Sequence, residues 1–256
     1  MYQFFVEDEQ VQENRVVILG ADVNHIVNVL RMRTGEQIRV SSASGTSYYC
    51  HVSRMSQDEV WAEIDRTDEQ GTELPNKVWL FQGIPKSDKL ELIIQKTTEL
   101  GVGVIVPVAM KNCVAKIDDK KVDAKQKRWQ AIAESAAKQS KRTVIPQIEK
   151  PLPWKQALKR ALELDVLLVP YENERGMNAT REVLQQIKAG QSVGIMIGPE
   201  GGFSEEEIGM IEALQAETAK DTHPHVHKLS LGRRILRTET AGIAALAMLG
   251  YETEDR

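Results

Sequence analysis

From about residue 77 onward, short apolar runs alternate with longer stretches that carry apolar residues at helical spacing. Strands that alternate with helices in this way form parallel sheets with helices on both faces. The alternation therefore predicts an α/β domain over most of the chain. The apolar runs are residues 78–82, 102–108, 166–169 and 192–197.

The first 70 residues follow a different pattern, with several short strand-like runs around a single helical stretch. Asp22 is a candidate cap for that helix. Many short strands in so short a span are typical of a small β-barrel. A polar stretch at residues 67–76 then separates the two patterns, and it predicts domains at residues 1–72 and 73–256.

The composition is that of an ordinary globular protein, because 41% of the 256 residues are apolar and 27% are charged. The apolar run at residues 102–110 is too short to cross a bilayer, so we expect no membrane association. No signal peptide pattern is visible at the start. Cys50 and Cys113 match neither a disulfide framework nor a zinc spacing, and we expect a cytoplasmic location.

Charge is distributed unevenly along the chain. Residues 1–75 hold 6 basic and 13 acidic residues, whereas residues 111–142 hold 10 basic and 4 acidic ones. This distribution argues against nucleic-acid binding through bulk charge. Local binding by a basic stretch and a solvated helix surface both remain open at this point.

A glycine-rich loop at residues 198–203 directly follows an apolar strand. Ser204 and Glu207 then form a capping box that predicts the start of a helix. Ligands of open α/β sheets bind at the carboxyl ends of strands, so the loop is either a ligand site or a connection with unusual turns. It matches neither the dinucleotide nor the P-loop pattern. The acidic Glu200 favours a ligand with positive charge or ribose hydroxyls over an anion.

A second unusual stretch places Arg233, Arg234 and Arg237 just before an alanine-rich helix. Arginine suits phosphate recognition, and arginines at a helix start oppose the macrodipole. The small residues of the helix predict a tight interface, within the chain or between chains. Nearby, His223, His225 and His227 alternate, but we expect exposed loop histidines rather than a metal site.

Together, the segments IGPEGGFSEEEI (197–208) and LSLGRRILRTETA (229–241) closely resemble motifs of the SPOUT-class 16S rRNA (uracil-N3)-methyltransferases, the RsmE family. The likeness covers nearly the whole chain. Supporting segments are residues 25–31, 86–89, 94–101 and 128–140. One departure is Gln3, which stands where many members carry an arginine.

The resemblance implies a fold and an assembly. The α/β domain, with its parallel sheet, would end in a C-terminal trefoil knot, an exception to the usual rule against knots. A small PUA-like β-barrel that binds RNA would precede it. Members are homodimers joined through the last helix.

The resemblance also implies a cofactor and a reaction. S-adenosyl-L-methionine would lie in the knot and donate a methyl group to N3 of a decoding-region uridine in 16S rRNA, within the small ribosomal subunit. The matching cofactor-binding residues are Val169, Pro170, Ile197, Gly198, Glu200, Gly201, Gly202, Leu229, Leu231, Gly232, Ile235 and Leu236.

The chemistry calls for a base, since uracil N3 must lose a proton before it can attack the methyl group. Glu172 is one candidate and Glu200 is another, while Arg237 is placed to stabilise the negative charge on the base. The rRNA phosphates need positive partners. The candidates are Arg31, Arg33, Lys86, Lys138, Arg142, Arg233 and Arg234.

Two other functions compete with methyl transfer. The chain is alternatively an RNA-binding module without catalytic activity, which need not bind S-adenosylmethionine. A third interpretation is an α/β enzyme for a small nucleotide-like substrate, which predicts turnover without RNA.

Overall fold

The computed structural model describes residues 1–69, 71–115, 118–218 and 225–254. The chain divides into two compact units. The first consists of Met1–Glu73 and Ala137–Ile145, and the second of Leu74–Ala136 and Pro146–Arg256. Among the described residues, no helix is both long and apolar enough to cross a membrane.

The first unit is built on a six-stranded sheet. Its strands are β1 (Tyr2–Val6), β2 (Val11–Gln12), β3 (Arg15–Leu19), β4 (Gln37–Ser42), β5 (Ser47–Met55) and β6 (Glu59–Asp68). They pair in the order β1-β4-β5-β6-β3-β2, with β1 parallel to β4 and the other neighbours antiparallel. Buried residues such as Phe4, Ile38 and Val60 form its core.

One short helix interrupts these strands, as the sequence predicts. Helix α1 (Ala21–Asn24) continues into one π-helical turn, His25–Val29, and a 3-10 turn, Asp8–Gln10, precedes β2. The prediction that Asp22 caps the helix is wrong, because Gly20 occupies the cap position. Asp22 instead forms an ion pair with Lys138 at 3.2 Å.

The first unit also contains Ala137–Ile145, which the sequence division at residue 73 assigned to the other domain. Arg142 is buried here, and its Nε donates to the Glu73 carboxylate at 3.0 and 3.1 Å. Gln3 is buried too and donates to the Arg142 carbonyl. Polar residues separated by some 70 or more positions therefore attach this segment to the β-sheet unit.

The second unit is an α/β structure with a parallel sheet. Its strands are β7 (Lys77–Gly83), β8 (Val104–Ala109), β9 (Gln147–Ile148), β10 (Leu152–Pro153), β11 (Val166–Pro170), β12 (Ser192–Ile197) and β13 (His225–Leu229). They pair in the order β10-β8-β7-β12-β11-β13, with β9 also on β8, and each of these pairings is parallel.

Helices cover both faces of this sheet. They are α2 (Lys89–Glu99), α3 (Val122–Ser140), α4 (Trp154–Ala161), α5 (Met177–Gln186), α6 (Glu205–Thr218) and α7 (Thr238–Thr253), with a 3-10 turn at Asp119–Lys121. Val78 and Leu80 of β7 pack in one core with α2, α3, α5 and α7, whereas Trp79 and Phe81 pack in another with α4 and α6. Alternate residues of one strand thus enter opposite cores.

Candidate functional site

A cavity of about 370 Å³ lies at the carboxyl ends of β11, β12 and β13. Its volume falls in the range of small-molecule sites. Two of the loops that form it are the motifs that the sequence singles out, and the third follows β11. The lining residues are Lys89, Ala241, and members of the segments 170–175, 197–203 and 230–238.

Glycines in the loop after β12 permit packing that a side chain would obstruct. Gly202 has a φ of +68°, a conformation that L side chains rarely adopt. At Gly201, a β-carbon would lie 2.9 Å from Cβ of Asn112, closer than real contacts allow. Steric and conformational demands therefore explain two glycines of this motif.

Residues after β8 brace the same loop from outside the cavity. Asn112 Nδ2 donates to the carbonyls of Gly201 and Gly202 at 3.1 and 3.3 Å. The buried Glu207 accepts from the backbone N–H groups of Ser204 and Lys111 at 2.8 and 2.9 Å. Glu207 N–H in turn donates to Ser204 Oγ at 3.3 Å, which confirms the predicted capping box. No sequence spacing points to Asn112.

Two consecutive hydrogen bonds hold the other side of the glycine-rich loop. Gln82, fully buried near the end of β7, donates from Nε2 to Thr238 Oγ1 at 2.9 Å. Thr238 Oγ1 then donates to the Gly198 carbonyl at 2.6 Å. In the sequence, this pair of hydrogen bonds is indicated only by a glutamine inside an apolar strand, because a buried polar side chain needs a hydrogen-bond partner.

The Glu200 carboxylate is engaged in holding the segment before α2. Its Oε1 accepts from the Lys86 N–H at 3.0 Å and lies 3.1 Å from Lys89 Nζ. Lys89 also lies 3.3 Å from Glu239. Burial acts to raise the pKa of Glu200, but the Lys86 amide and Lys89 bring that pKa below its ordinary value. Because the Glu200 carboxylate is already engaged with the Lys86 amide and the Lys89 ammonium, Glu172 is the better candidate for the base.

Glu172 is exposed and lines the cavity on the loop after β11. A β-carbon at Gly202 would lie 3.5 Å from its Oε1, so the carboxylate is next to the glycine-rich loop. Tyr171 anchors the loop by donating its N–H to the Leu229 carbonyl at 3.0 Å. This places an accessible carboxylate on a fixed backbone.

The third loop brings its arginines to the same cavity. Gly232 makes the turn with a φ of +107°. Arg233, Arg234 and Arg237 follow it, and all three are exposed and line the cavity. Guanidinium groups therefore border the site from the β13 side.

Nine of the predicted cofactor-binding residues line the cavity. Val169, Gly201 and Leu229 do not, since Val169 and Leu229 are buried strand residues whose side chains pack in the two cores. The residues that line it are Pro170, Ile197, Gly198, Glu200, Gly202, Leu231, Gly232, Ile235 and Leu236.

Five of the predicted RNA-binding residues lie outside the cavity lining. Arg31, Arg33 and Lys86 are exposed. The Lys138 ammonium is paired with Asp22. The prediction for Arg142 is wrong, because its guanidinium is 4% exposed and its charge is paired with Glu73, which leaves no surface for a phosphate.

The expectation of exposed loop histidines is wrong for His225 and His227, which lie in strand β13 and are half-buried. Within the described ranges, no group of three or more His, Cys, Asp or Glu side chains is placed to hold an ion. His225 and His227 stack with ring centroids 6.4 Å apart. Burial, with a further contribution from His225, lowers the pKa of His227. His223 lies outside the described residues.

Comparison with known proteins identifies relatives of both units. Residues 72–250 match the model of the RNA methyltransferase domain family, and residues 18–65 match that of the RNA methyltransferase PUA domain. The second match identifies the sheet of the first unit as a PUA fold.

Individual relatives align over almost their full length. The ribosomal RNA small subunit methyltransferase E of Bacillus subtilis is 37% identical, covering 99% of this chain and 98% of its own. The protein of that name from Mesomycoplasma hyopneumoniae is 34% identical, over 96% of this chain and 97% of its own. The crystal structure of the Neisseria gonorrhoeae ribosomal RNA small subunit methyltransferase E, bound to S-adenosyl methionine, superimposes with a TM-score of 0.80 at 28% identity and covers 100% of this chain and 99% of that one.

Proposed function

This chain belongs to the family of ribosomal RNA small subunit methyltransferase E proteins, and we propose that it methylates N3 of a decoding-region uridine in 16S rRNA. Membership in this family makes the chain a methyltransferase of small-subunit rRNA. Our proposal adds that the methylated base is a uridine, that the methylated atom is N3, and that the uridine lies in the decoding region. The observation that carries it is the single cavity formed by both C-terminal motifs and the loop of Glu172.

The cavity has the chemistry to hold S-adenosyl-L-methionine. Gly198, Gly202 and Gly232 line it without side chains that would cover their backbone groups. Ile197 and Leu236 add apolar wall suited to an adenine ring. The exposed Glu172 carboxylate on the cavity wall also complements a positively charged sulfonium.

When bound, S-adenosyl-L-methionine supplies an already activated methyl group, so positioning is the main demand on the protein. Glu172 accepts the N3 proton of the uracil, and the freed nitrogen pair forms the new N–C bond as the carbon–sulfur bond breaks. Arg237, on the same cavity, stabilises the negative charge that spreads to the uracil oxygens. Glu200 stays ionised and holds Lys86 and Lys89 in place.

We also propose how the chain is knotted, assembled and placed on its substrate. The α/β unit ends in a SPOUT-type trefoil knot at the cofactor loops, and the chain forms a homodimer through α7. The PUA unit contacts rRNA with Arg31 and Arg33, both exposed, and Lys86 and Lys138 supply further contacts outside the cavity. The protein acts in the cytoplasm on the small ribosomal subunit.

The test uses small ribosomal subunits from a strain that lacks its own uridine-N3 methylation. Purified protein and methyl-labelled S-adenosylmethionine are added, and the label is mapped in 16S rRNA. Subunits from the parent strain, already methylated, are the matched control. We expect label on N3 of one decoding-region uridine in the first sample and none in the second.

Other outcomes distinguish the alternatives. Label on a different nucleotide would keep the rRNA methyltransferase but overturn the uridine-N3 assignment. Absence of both label and cofactor binding would favour an RNA-binding module without catalysis. Turnover of a free nucleotide without RNA would favour the small-substrate enzyme.

A further inference from the structure

Among the charged side chains of the cavity wall that lack an ion-pair partner within the described residues, positive ones outnumber negative ones. Lys89 is paired with Glu200 at 3.1 Å, and Glu174 is paired with Lys228 at 2.9 Å. Once these pairs are set aside, the part of the chain that the structure describes offers no ion-pair partner to the other charged residues of the wall. These are Glu172, Arg175, Arg233, Arg234 and Arg237.

Four exposed guanidinium groups against one carboxylate give the wall an excess of positive charge, which the cofactor does not offset. S-adenosylmethionine carries a sulfonium, an ammonium and one carboxylate, so its own net charge is positive. A guanidinium presents a planar fork of donors that matches phosphate oxygens. The excess of arginine therefore suits the backbone of the RNA substrate.

Arg175 differs from the other arginines because it belongs to the loop after β11, outside both C-terminal motifs. Its neighbour Glu174 is anchored twice: the backbone N–H donates to the Tyr171 carbonyl at 3.1 Å, and the carboxylate pairs with Lys228. Lys228 also pairs with Glu212 of α6 at 2.8 Å. The backbone that carries Arg175 is thus fixed, while its guanidinium stays exposed at the cavity.

The loop of Arg175 is also connected to the loop of the other arginines. Thr180, one turn into α5, donates from Oγ1 to the Ser230 carbonyl at 2.9 Å and accepts from the Ser230 N–H at 3.0 Å. Ser230 lies two residues before Gly232, the turn of the loop that carries Arg233, Arg234 and Arg237. A two-way hydrogen bond therefore fixes the spacing of the two loops.

We propose that Arg175 is a substrate-binding residue that contacts an rRNA phosphate next to the target nucleotide, so that two loops rather than one hold the RNA backbone at the cavity. An enzyme that acts on a base takes that base into a pocket and leaves the flanking phosphates at its entrance. This inference rests on the proposed function, since it needs an RNA substrate at the cavity.

The experiment measures binding rather than turnover. Dissociation constants for small ribosomal subunits are determined over a range of salt concentrations for the wild type, Arg175→Met, Arg175→Lys and the control Arg181→Met. Arg181 is an exposed arginine of α5 that does not line the cavity. Calorimetric titration with S-adenosylmethionine is run on each variant.

We expect Arg175→Met to weaken subunit binding about 10-fold and to reduce the slope of log affinity against log salt by about one, as loss of one phosphate contact does. Arg175→Lys should recover part of the affinity, and Arg181→Met should match the wild type. Affinity for S-adenosylmethionine should stay within about twofold in all variants, because the cofactor is not the anion that Arg175 binds.

Unchanged subunit affinity and salt slope in Arg175→Met would overturn the inference, as would an equal loss in Arg181→Met. A loss of cofactor affinity as large as the loss of subunit affinity would overturn it too, since this would indicate a structural role. Failure of the wild type to bind S-adenosylmethionine would instead contradict the proposed function. The two failures are therefore distinguishable.

Discussion

At the scale of single residues, the site depends on positions where a side chain is absent. Gly201 contacts Asn112 so closely that a β-carbon would lie 2.9 Å from Asn112 Cβ, whereas a β-carbon at Gly209 of α6 would meet nothing within 4 Å. The two glycines stand eight residues apart in the sequence. Their surroundings predict opposite effects of the same substitution.

Gly201→Ala should displace the loop that forms the cavity and weaken S-adenosylmethionine binding by about tenfold or more, with a stability loss of about 1–3 kcal/mol from overpacking. Gly209→Ala should leave binding unchanged and stabilise the protein by up to about 1 kcal/mol, because alanine is the better helix former. Calorimetric titration and urea unfolding of both variants check this. Equal behaviour of the two variants would contradict it.

Glu172, the candidate base, presents an exposed carboxylate to the cavity. Glu172→Gln keeps the shape of the side chain but cannot take a proton, so the methyl-transfer rate should fall about 10²-fold or more. Affinity for S-adenosylmethionine should stay within about twofold. Single-turnover transfer to unmethylated small subunits measures the rate, and Glu182→Gln, at an exposed position of α5, is the control. An unchanged rate would remove Glu172 as the base.

At the scale of elements, the stretch Ala137–Ile145 shows how one segment joins a distant sheet. Glu73 accepts from the Arg142 guanidinium and from the backbone N–H groups of Thr143 and Val144 at 2.8 and 3.2 Å. Burial acts to raise the pKa of Glu73, but the Arg142 guanidinium and the Thr143 amide bring it below the ordinary value. The ionised carboxylate therefore stabilises this attachment.

Glu73→Gln should destabilise the first unit by about 3 kcal/mol, because it leaves the Arg142 charge buried without its partner. The pKa of Glu73 is lowered from its ordinary value of 4.5, so this carboxylate stabilises the fold fully when the pH is above 4.5. Its contribution is lost as the pH falls through the lowered pKa. The variant should therefore lose less stability than the wild type on acidification below about pH 4.5.

Hydrogen exchange of β1 and β4 in urea, measured at neutral and acid pH, reports on this unit. Glu69→Gln is the matched control, because Glu69 is exposed in the same unit. If both variants lose the same stability with the same pH dependence, the Glu73–Arg142 pair has no special role.

At the scale of the whole molecule, α7 carries apolar residues on an exposed face. Tyr251 is 88% exposed, and Ala247, one turn earlier on the same face, is exposed as well. The opposite face of α7 packs in the core through Ala245, Leu246 and Leu249. A helix apolar on both faces fits the proposed interface with a second copy.

Sedimentation should therefore show a dimer for the wild type and a shift toward monomer for Ala247→Glu, since a buried unpaired carboxylate opposes association. The control is Ala213→Glu, at an exposed position of α6. A dimer of unchanged strength in Ala247→Glu would contradict an interface through this face.

Features whose signal is local follow from the sequence alone. The alternation of apolar runs with helices predicted the parallel sheet, because each element must bury one face. Strand β12 begins and ends where the pattern predicts, and Ser204 and Glu207 form their capping box because its atoms lie within one turn. The two motifs likewise marked the loops that line the cavity.

The pairing of polar side chains, by contrast, is visible only in the folded chain. The basic stretch around Arg142 predicts a surface cation, yet Glu73, 69 positions away, pairs with its charge. Asn112 and Gln82 match no motif, yet Asn112, after β8, bonds the glycine-rich loop directly, and Gln82, in β7, holds it through Thr238. The physical reason is that such contacts join residues far apart in the chain, and no local pattern records which distant residue will be adjacent after folding.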